Sequence, residues 1–517
     1  MSNLKAIIAG KRIESSADAF QSLNPSNLED VVGTYGNATI EDCREALRAA
    51  RAAQARWAAT PAPVRAGVIG NFGRLIEKNK EALSRALSRE MGKPLREARG
   101  DVQEAIDTCD FFVSEGRRLY GQTIPSEMPN KECFTYRRPV GVFACITAGN
   151  FPFAVPSWYF VPALICGNTC VWKPPEDTPR LSEIFSDLLH AAGVPEGVFN
   201  VVFGEGAKTG AALVSLVDEG LIDKVGFTGS TAVGRNIGEI CGRNLQVPCL
   251  ELGGKNPLVV TPSADLDLAA HGITWSAFGT AGQRCTSLGN VIAHASVKEA
   301  LLAKVMAKVN ALRVGDPFNE KNDYGPLMSE KVLTGHLRNL DTLVKTKHAL
   351  LTLENGRITP EKPHPRFDGD ARRGVYAFPT LVDGVTEDDE IYATETFGPL
   401  VNVMTYDSFD EALRKANGTG YGLSSAIYTR DVMEAYRFRS DIGAGMTSIN
   451  NSTTGAEAHL PFGGNGKSGN GSRQSGIWVL DAFTKWQAVN WDMSGKLQLA
   501  QMDTGYVAPR DYVVREV

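Results

Sequence analysis

Short apolar runs alternate with helical segments through the middle of this chain, and that alternation restricts the fold more than any other feature. Residues 140–147, 169–173, 198–202 and 224–228 are short and mostly apolar, suited to strands buried on both faces. Between them, 155–166, 182–192 and 207–217 carry helical spacing. A β-α-β-α order implies a parallel sheet with helices on both faces. A second β/α series opens at Asn256-Pro257-Leu258-Val259-Val260 and continues through 274–313 and 401–432. The fold class is therefore α/β. With 517 residues the chain is too long for one core.

The flanks read differently. Ile7 to Ala9, then Gly10-Lys11-Arg12-Ile13, reads as a hairpin, and Asn24-Pro25-Ser26 as a turn. Helices are expected over 40–59, 63–91 and 97–118, the second stopped by Gly92-Lys93-Pro94. Residues 133–138 alternate like a strand, and the polar, Pro/Gly-rich stretch 348–373 reads as a surface insertion. The aromatic tail, Ile477 to Leu480 and Phe483 to Trp491, reads as a strand, either open to another subunit or an internal edge strand.

A net charge of −5 gives no broad basic face for nucleic acid or a membrane surface. No apolar run is long enough to span a bilayer, and Met1-Ser2-Asn3-Leu4-Lys5 lacks a secretory core. Nine scattered cysteines contain no CxxC pair, and Cys166 and Cys170 have no nearby histidines. No metal site is expected, and the thiols read as reduced and cytoplasmic.

Five places carry chemistry. Cys285 stands in Gly279-Thr280-Ala281-Gly282-Gln283-Arg284-Cys285-Thr286, where small residues let a ligand approach backbone and Arg284 brings charge that favours thiolate. A lone cysteine is otherwise a buried apolar residue. Glu251, between two leucines and before Gly253-Gly254, is either badly placed for a surface carboxylate or functional, since burial would raise its pKa towards the range of a general base. Asn150, in Thr147-Ala148-Gly149-Asn150-Phe151-Pro152, follows an apolar strand where ligands bind in α/β sheets; it is either an oxyanion donor or an Asx turn. Lys173 and Glu176, around Pro174-Pro175, either hold a ribose diol or form a surface ion pair. Phe227-Thr228-Gly229-Ser230-Thr231-Ala232-Val233-Gly234 joins a strand to a helix whose N-terminus suits a phosphate, although the first glycine of the dinucleotide fingerprint is missing.

In this order the motifs resemble the aldehyde dehydrogenase superfamily from about Lys11 to Trp491. Two further matches support the resemblance, Glu395-Thr396-Phe397-Gly398-Pro399 and Pro461-Phe462-Gly463-Gly464. The resemblance implies a Rossmann-type parallel-sheet cofactor domain over 1–126 and 139–253, an α/β catalytic domain over 254–460, and small β oligomerisation strands over 127–138 and 478–495. It implies Cys285 as nucleophile, Glu251 as base, Asn150 as oxyanion donor, and Lys173 beside the cofactor. It places Thr147, Glu176, Gly210, Phe227, Gly229, Ser230, Val233, Gly234, Leu252, Glu395 and Phe397 at the cofactor. Gly149 departs from the aromatic residue common before the asparagine, and 465–471 departs from the usual spelling after Pro-Phe-Gly-Gly.

The implied reaction is oxidation of an aldehyde through a Cys285 thiohemiacetal and thioester, followed by hydrolysis. Glu251 favours water over coenzyme A as acceptor, and the intact motifs argue against a non-catalytic member of the fold. Glu176 repels a 2'-phosphate, so NAD is expected over NADP. The substrate set is expected to include Phe153, Trp158, Arg284, Thr286, Thr454 and Gly455. Arg284 and the polar loop 450–459 resemble semialdehyde dehydrogenases and suggest a carboxylate-bearing semialdehyde; Phe153, Trp158 and Tyr159 suggest instead an apolar tunnel for an aromatic or aliphatic aldehyde. A homodimer or homotetramer is expected.

Overall fold

The computed structural model describes residues 3–15, 18–346, 348–352, 354–505 and 509–516. Met1 and Ser2, where the N-terminal reading begins, lie outside them.

Five parallel strands form the heart of the first sheet: Cys249–Glu251, Lys224–Thr228, Val142–Ile146, Thr169–Lys173 and Phe199–Val202, in that spatial order. Ile146 pairs with both Lys173 and Phe227, and Thr228 pairs with Glu251. The carboxyl ends are thus level, and the polar residues that close these strands share one edge. The hairpin of Leu4–Ile8 and Lys11–Glu14 forms as expected, but it also extends this sheet, antiparallel to Phe199–Val202. Ala19–Asn24 and Asn27–Gly36 continue it around the turn at Pro25. That addition was not legible, because a hairpin motif does not say which sheet it joins.

Seven strands form the second sheet, in the order Ala349–Leu350, Thr380–Asp383, Leu400–Tyr406, Leu288–His294, Asn256–Val260, Ser424–Tyr428 and Met446–Ile449. All are parallel except the first. The stretch 348–373 is not a free insertion. Ala349–Leu350 pairs into this sheet, Phe367–Asp368 pairs with Val314–Gly315, and Ile358 is fully buried.

Helices form where capping and apolar spacing agree. Ile40–Ala59 begins at Thr39 with a capping box to Asp42 and buries Cys43, Ala46, Leu47, Ala50, Ala53 and Trp57 on one face. The helix expected over 63–91 is two, Ala62–Lys78 and Lys80–Met91. Asn79 leaves helical geometry between them and its side chain bonds Leu75 O at 2.8 Å. Leu95–Arg118 follows, starting after Pro94. The helix expected over 207–217 is a π-turn, Gly206–Gly210, leading into a short α-helix, Ala211–Ser215.

The tail also differs from expectation at its start. Val479–Ala482 is a helical turn, since Val479, Leu480 and Phe483 are drawn into the core. The strand proper is Thr484–Asp492, antiparallel to Lys131–Pro139 with Thr484 opposite Pro139 and Asp492 opposite Lys131. Trp486 and Trp491 on it are exposed. Among the described residues no helix is long and apolar enough to cross a membrane.

Candidate active site

A cavity of about 1420 Å³ opens at the carboxyl edge of the first sheet. It exceeds the ~300–1,000 Å³ of ordinary small-ligand pockets and has room for a dinucleotide with a second small molecule. Cys285, Glu251, Asn150 and Lys173 all line it.

Cys285 reaches the cavity from a loop with unusual backbone. Thr280, Ala281 and Gly282 have φ of 52, 54 and 72°. A Cβ on residue 282 would lie 2.2 Å from Gly398 O, so glycine is required there. The loop is tied on several sides. Glu97 accepts from Thr280 N at 3.2 Å and from its hydroxyl, Gln283 Oε1 accepts from Met328 N at 2.8 Å, and Asn256 Nδ2 donates to Cys285 O at 2.8 Å. Asn150 Nδ2 donates to Gln283 O at 2.9 Å, which brings the amide beside the Cys285 loop. Burial pushes the Cys285 thiol up to about 12, helped by the charges of Glu251 and Glu395; the N–H groups of Thr286 and Cys285 act the other way.

Arg284 does not have the role expected for it beside the sulfur. Its Nη2 bonds Glu97 at 2.6 Å, its Nε bonds Thr280 Oγ1 at 3.0 Å, and its guanidinium lies 4.6 Å from the Trp275 ring centroid. Its charge is absorbed by a buried carboxylate, because a cation next to Cys285 in sequence turns away from the sulfur in space. Arg284 still forms part of the cavity wall.

Glu251 closes the strand Cys249–Glu251 and is 4% exposed. Gln474 Nε2 reaches its Oε1 at 3.4 Å, while Oε2 is buried with no partner among the described residues. Burial raises its pKa well above the ordinary value, against the pull of Arg473 and the Gly464 N–H. A desolvated carboxyl beside a desolvated thiol can take a proton from water or sulfur.

Lys173 and Glu176 occupy another part of the wall, 3.5 Å apart. Glu176 also accepts from Gly206 N at 2.8 Å and pairs with Lys331 at 3.0 Å. Burial opposes its ionisation, but Lys173, the Gly206 N–H and Lys331 together keep its pKa low. The helix Thr231–Arg243 starts at Ser230, whose side chain caps Val233 N, and Ser230 and Val233 face the cavity. These groups fit a dinucleotide: a cation and a carboxylate for a ribose diol, and a helix N-terminus for a phosphate. Glu395 lies across the cavity with Gly254 N at 3.2 Å, its carboxyl pushed up to about 7 by burial.

Thr147, Gly210, Phe227, Gly229, Leu252, Phe397, Trp158, Thr286, Thr454 and Gly455 also line the cavity. Two expected residues do not. Gly234 packs under Leu252, where a Cβ would come within 2.4 Å, so it permits close helix–strand packing rather than facing a ligand. Phe153 is fully buried against Phe185. Tyr159 is equally buried, its hydroxyl bonded to Phe227 O and Thr228. One face of the helix Ala154–Ile165 meets the cavity, through Val155 and Trp158, and its other aromatics fill the core.

The motif reading missed Glu97, Gln474 and Lys331. Glu97 carried a usable signal, since Glu97, Asp101 and Glu104 fall on one helical face among buried alanines and valine. Gln474 and Lys331 had none, because their partners are 223 and 155 residues away.

The model of the aldehyde dehydrogenase family matches residues 13–489. The chain belongs to the aldehyde dehydrogenase family. It is an NAD(P)-dependent oxidoreductase of that family. An alpha-ketoglutarate semialdehyde dehydrogenase of Haloferax volcanii is 37% identical over 89% of this chain and 93% of its own. A vanillin dehydrogenase of Corynebacterium glutamicum is 35% identical over 93% and 96%. The crystal structure of an NAD-dependent aldehyde dehydrogenase from Sinorhizobium meliloti superposes with a TM-score of 0.90 at 31% identity, covering 96% of each chain. The α/β aldehyde dehydrogenase fold, with its two parallel-centred sheets, is therefore that of this protein.

Proposed function

We propose that this aldehyde dehydrogenase oxidises a carboxylate-bearing semialdehyde to the dicarboxylic acid with NAD, using Cys285 as nucleophile and Glu251 as base. The observation that carries the reading is one continuous cavity whose wall holds both the Lys173–Glu176 pair and the Cys285–Asn150–Glu251 group. Its dinucleotide side belongs to the first sheet and its sulfur to a loop beside the second, which supports a cofactor domain over 1–126 and 139–253 and a catalytic domain over 254–460.

The Cys285 thiolate, its proton released to solvent, attacks the aldehyde carbon and forms the thiohemiacetal. Asn150 Nδ2 and the Cys285 N–H hold the oxyanion. Lys173, Glu176 and the helix start at Ser230 would hold NAD, which would supply the acceptor for the hydride lost from that carbon. Glu251 then draws a proton from water, which adds to the Cys285 thioester and releases the acid and the thiol. Glu176 accepts from both hydroxyls of a ribose diol and repels a 2'-phosphate, which favours NAD over NADP.

Relatives named for alpha-ketoglutarate semialdehyde support the substrate class. A second reading, an aromatic aldehyde, draws on Trp158 packed 4.6 Å from Phe462 at the wall and on the vanillin dehydrogenase relative. Following NADH formation with alpha-ketoglutarate semialdehyde, vanillin and pentanal separates them. A higher kcat/KM for the semialdehyde is expected; no gain from a substrate carboxylate removes the first reading.

The ribbon of Thr123–Ile124, Lys131–Pro139 and Thr484–Asp492, with Trp486 and Trp491 exposed, supports self-association as a dimer or tetramer through 127–138 and 478–495. Nine free cysteines support a reducing, cytoplasmic setting.

A further inference from the structure

The helix Leu95–Arg118 presents Glu97, Gly100, Asp101 and Glu104 to the cavity, the spacing of a single helical face. Three acids stand on that face, and two are saturated. Glu97 is bonded to Arg284 and Thr280. Asp101 is bonded to Lys93 Nζ at 2.8 Å and to Ala154 N at 2.8 Å, and the ion pair is fully buried. Glu104 differs. Its Oε1 is buried and has no hydrogen-bond partner among the described residues.

The cations within reach are already committed, Lys93 to Asp101 and Arg284 to Glu97. Burial and the charge of Asp101 push the Glu104 carboxyl up to about 8; Asp107 adds to this, and Lys93 and Arg284 offset it. From neighbouring elements, Ala154–Ile165 brings no charged side chain, and Lys80 at the start of Lys80–Met91 is bonded to Gln103. Arg74 on Ala62–Lys78 is bonded to Asn71. The cavity wall therefore carries a carboxyl that is largely neutral at neutral pH and whose buried Oε1 has no partner among the described residues, and leaving such a group unpaired is costly.

We infer that the neutral carboxyl of Glu104 donates a hydrogen bond to an oxygen on the substrate's tail, making it a specificity residue for aldehydes that carry a keto or carboxylate oxygen; the inference rests on the substrate reading above. A hydrocarbon tail leaves the donor unpaired. An ionised Glu104 has no proton to donate and repels a carboxylate, so preference for the semialdehyde weakens as pH rises through about 8.

The test is the ratio of kcat/KM for alpha-ketoglutarate semialdehyde to that for pentanal, measured on either side of pH 8 in the wild type, Glu104→Gln and Glu104→Leu. Using a ratio cancels the ionisation of Cys285 and Glu251, which acts on both substrates. One hydrogen bond is worth up to about tenfold. The wild-type ratio is expected to fall about tenfold from the acid to the alkaline side, mainly through KM of the semialdehyde. Glu104→Gln, a permanent neutral donor, keeps the high ratio at both. Glu104→Leu has the low ratio at both. A wild-type ratio in Glu104→Leu, or an undiminished pH response in Glu104→Gln, overturns the role of Glu104 alone. A wild type that never prefers the semialdehyde overturns the substrate reading and the inference with it.

Discussion

Gln474 Nε2 lies 3.4 Å from Glu251 Oε1, and these two side chains, 223 residues apart in sequence, meet inside the cavity wall. The bond is long, and Oε2 has no partner among the described residues. Burial makes this carboxyl hold its proton tightly, which suits its proposed task of taking one from water.

Replacing Glu251 by Gln keeps the shape and removes the base. Turnover is expected to fall about 10²–10⁴-fold, while one equivalent of NADH still appears as a burst, since only thioester hydrolysis is blocked. The same change removes a negative charge that raises the Cys285 thiol, so the pH profile of its alkylation by iodoacetamide should move to lower pH. A steady-state defect with no burst would place Glu251 before the thioester.

Asn150 faces the Cys285 loop through Gln283 O. Asn150→Ala should lose about 3 kcal/mol of transition-state stabilisation, roughly a hundredfold in kcat, with NAD affinity unchanged. Stopped-flow measurement of the burst rate checks it.

Glu176 is held by Lys173, Lys331 and the Gly206 N–H at once. It is therefore expected to stay in place and exclude a 2'-phosphate. Wild-type kcat/KM should favour NAD, and Glu176→Ala should narrow the gap by improving NADP and weakening NAD. A wild-type preference for NADP would mean that Glu176 swings aside and its two lysines receive the phosphate.

Arg284 and Glu97 form a buried pair. Arg284→Ala leaves Glu97 charged and unpaired in the interior, a loss of about 3–5 kcal/mol, read as a lower denaturant midpoint. The pH dependence has a definite sign. Burial raises the Glu97 pKa, but Arg284 and Thr280 outweigh it and hold it below 4.5. The pair's stabilisation is thus complete above 4.5 and is lost as pH falls through the lowered folded value. The variant should lack that acid-side slope.

The sequence was most legible where a motif and an element coincide. Thr169–Lys173, Lys224–Thr228 and Asn256–Val260 have the expected limits, since apolar runs bounded by turn residues define buried strands. Glu251, Asn150 and Lys173 stood out because each closes such a strand or follows it, and Cys285 because glycines and small residues precede it. Side-chain direction was harder to read. Phe153 and Trp158 sit five residues apart on one apolar segment, yet one fills the core and the other lines the cavity, and only tertiary packing decides between them. Arg284 shows the same limit for charge: its neighbour in sequence is the sulfur, while its partner is a glutamate 187 residues earlier. Asn79 broke a helix that its flanking residues supported, because its side chain competes for a backbone carbonyl.

The left-handed turn at Thr280 and Ala281 carries a further consequence. Each of these side-chain-bearing residues holds a conformation that costs roughly 1–2 kcal/mol, so the segment leading to the sulfur is sprung and stays so only while Glu97 and Gly398 clamp it. A chain evolved for greater toughness would relax this turn first, and the atom it would let drift is the sulfur proposed to perform the chemistry.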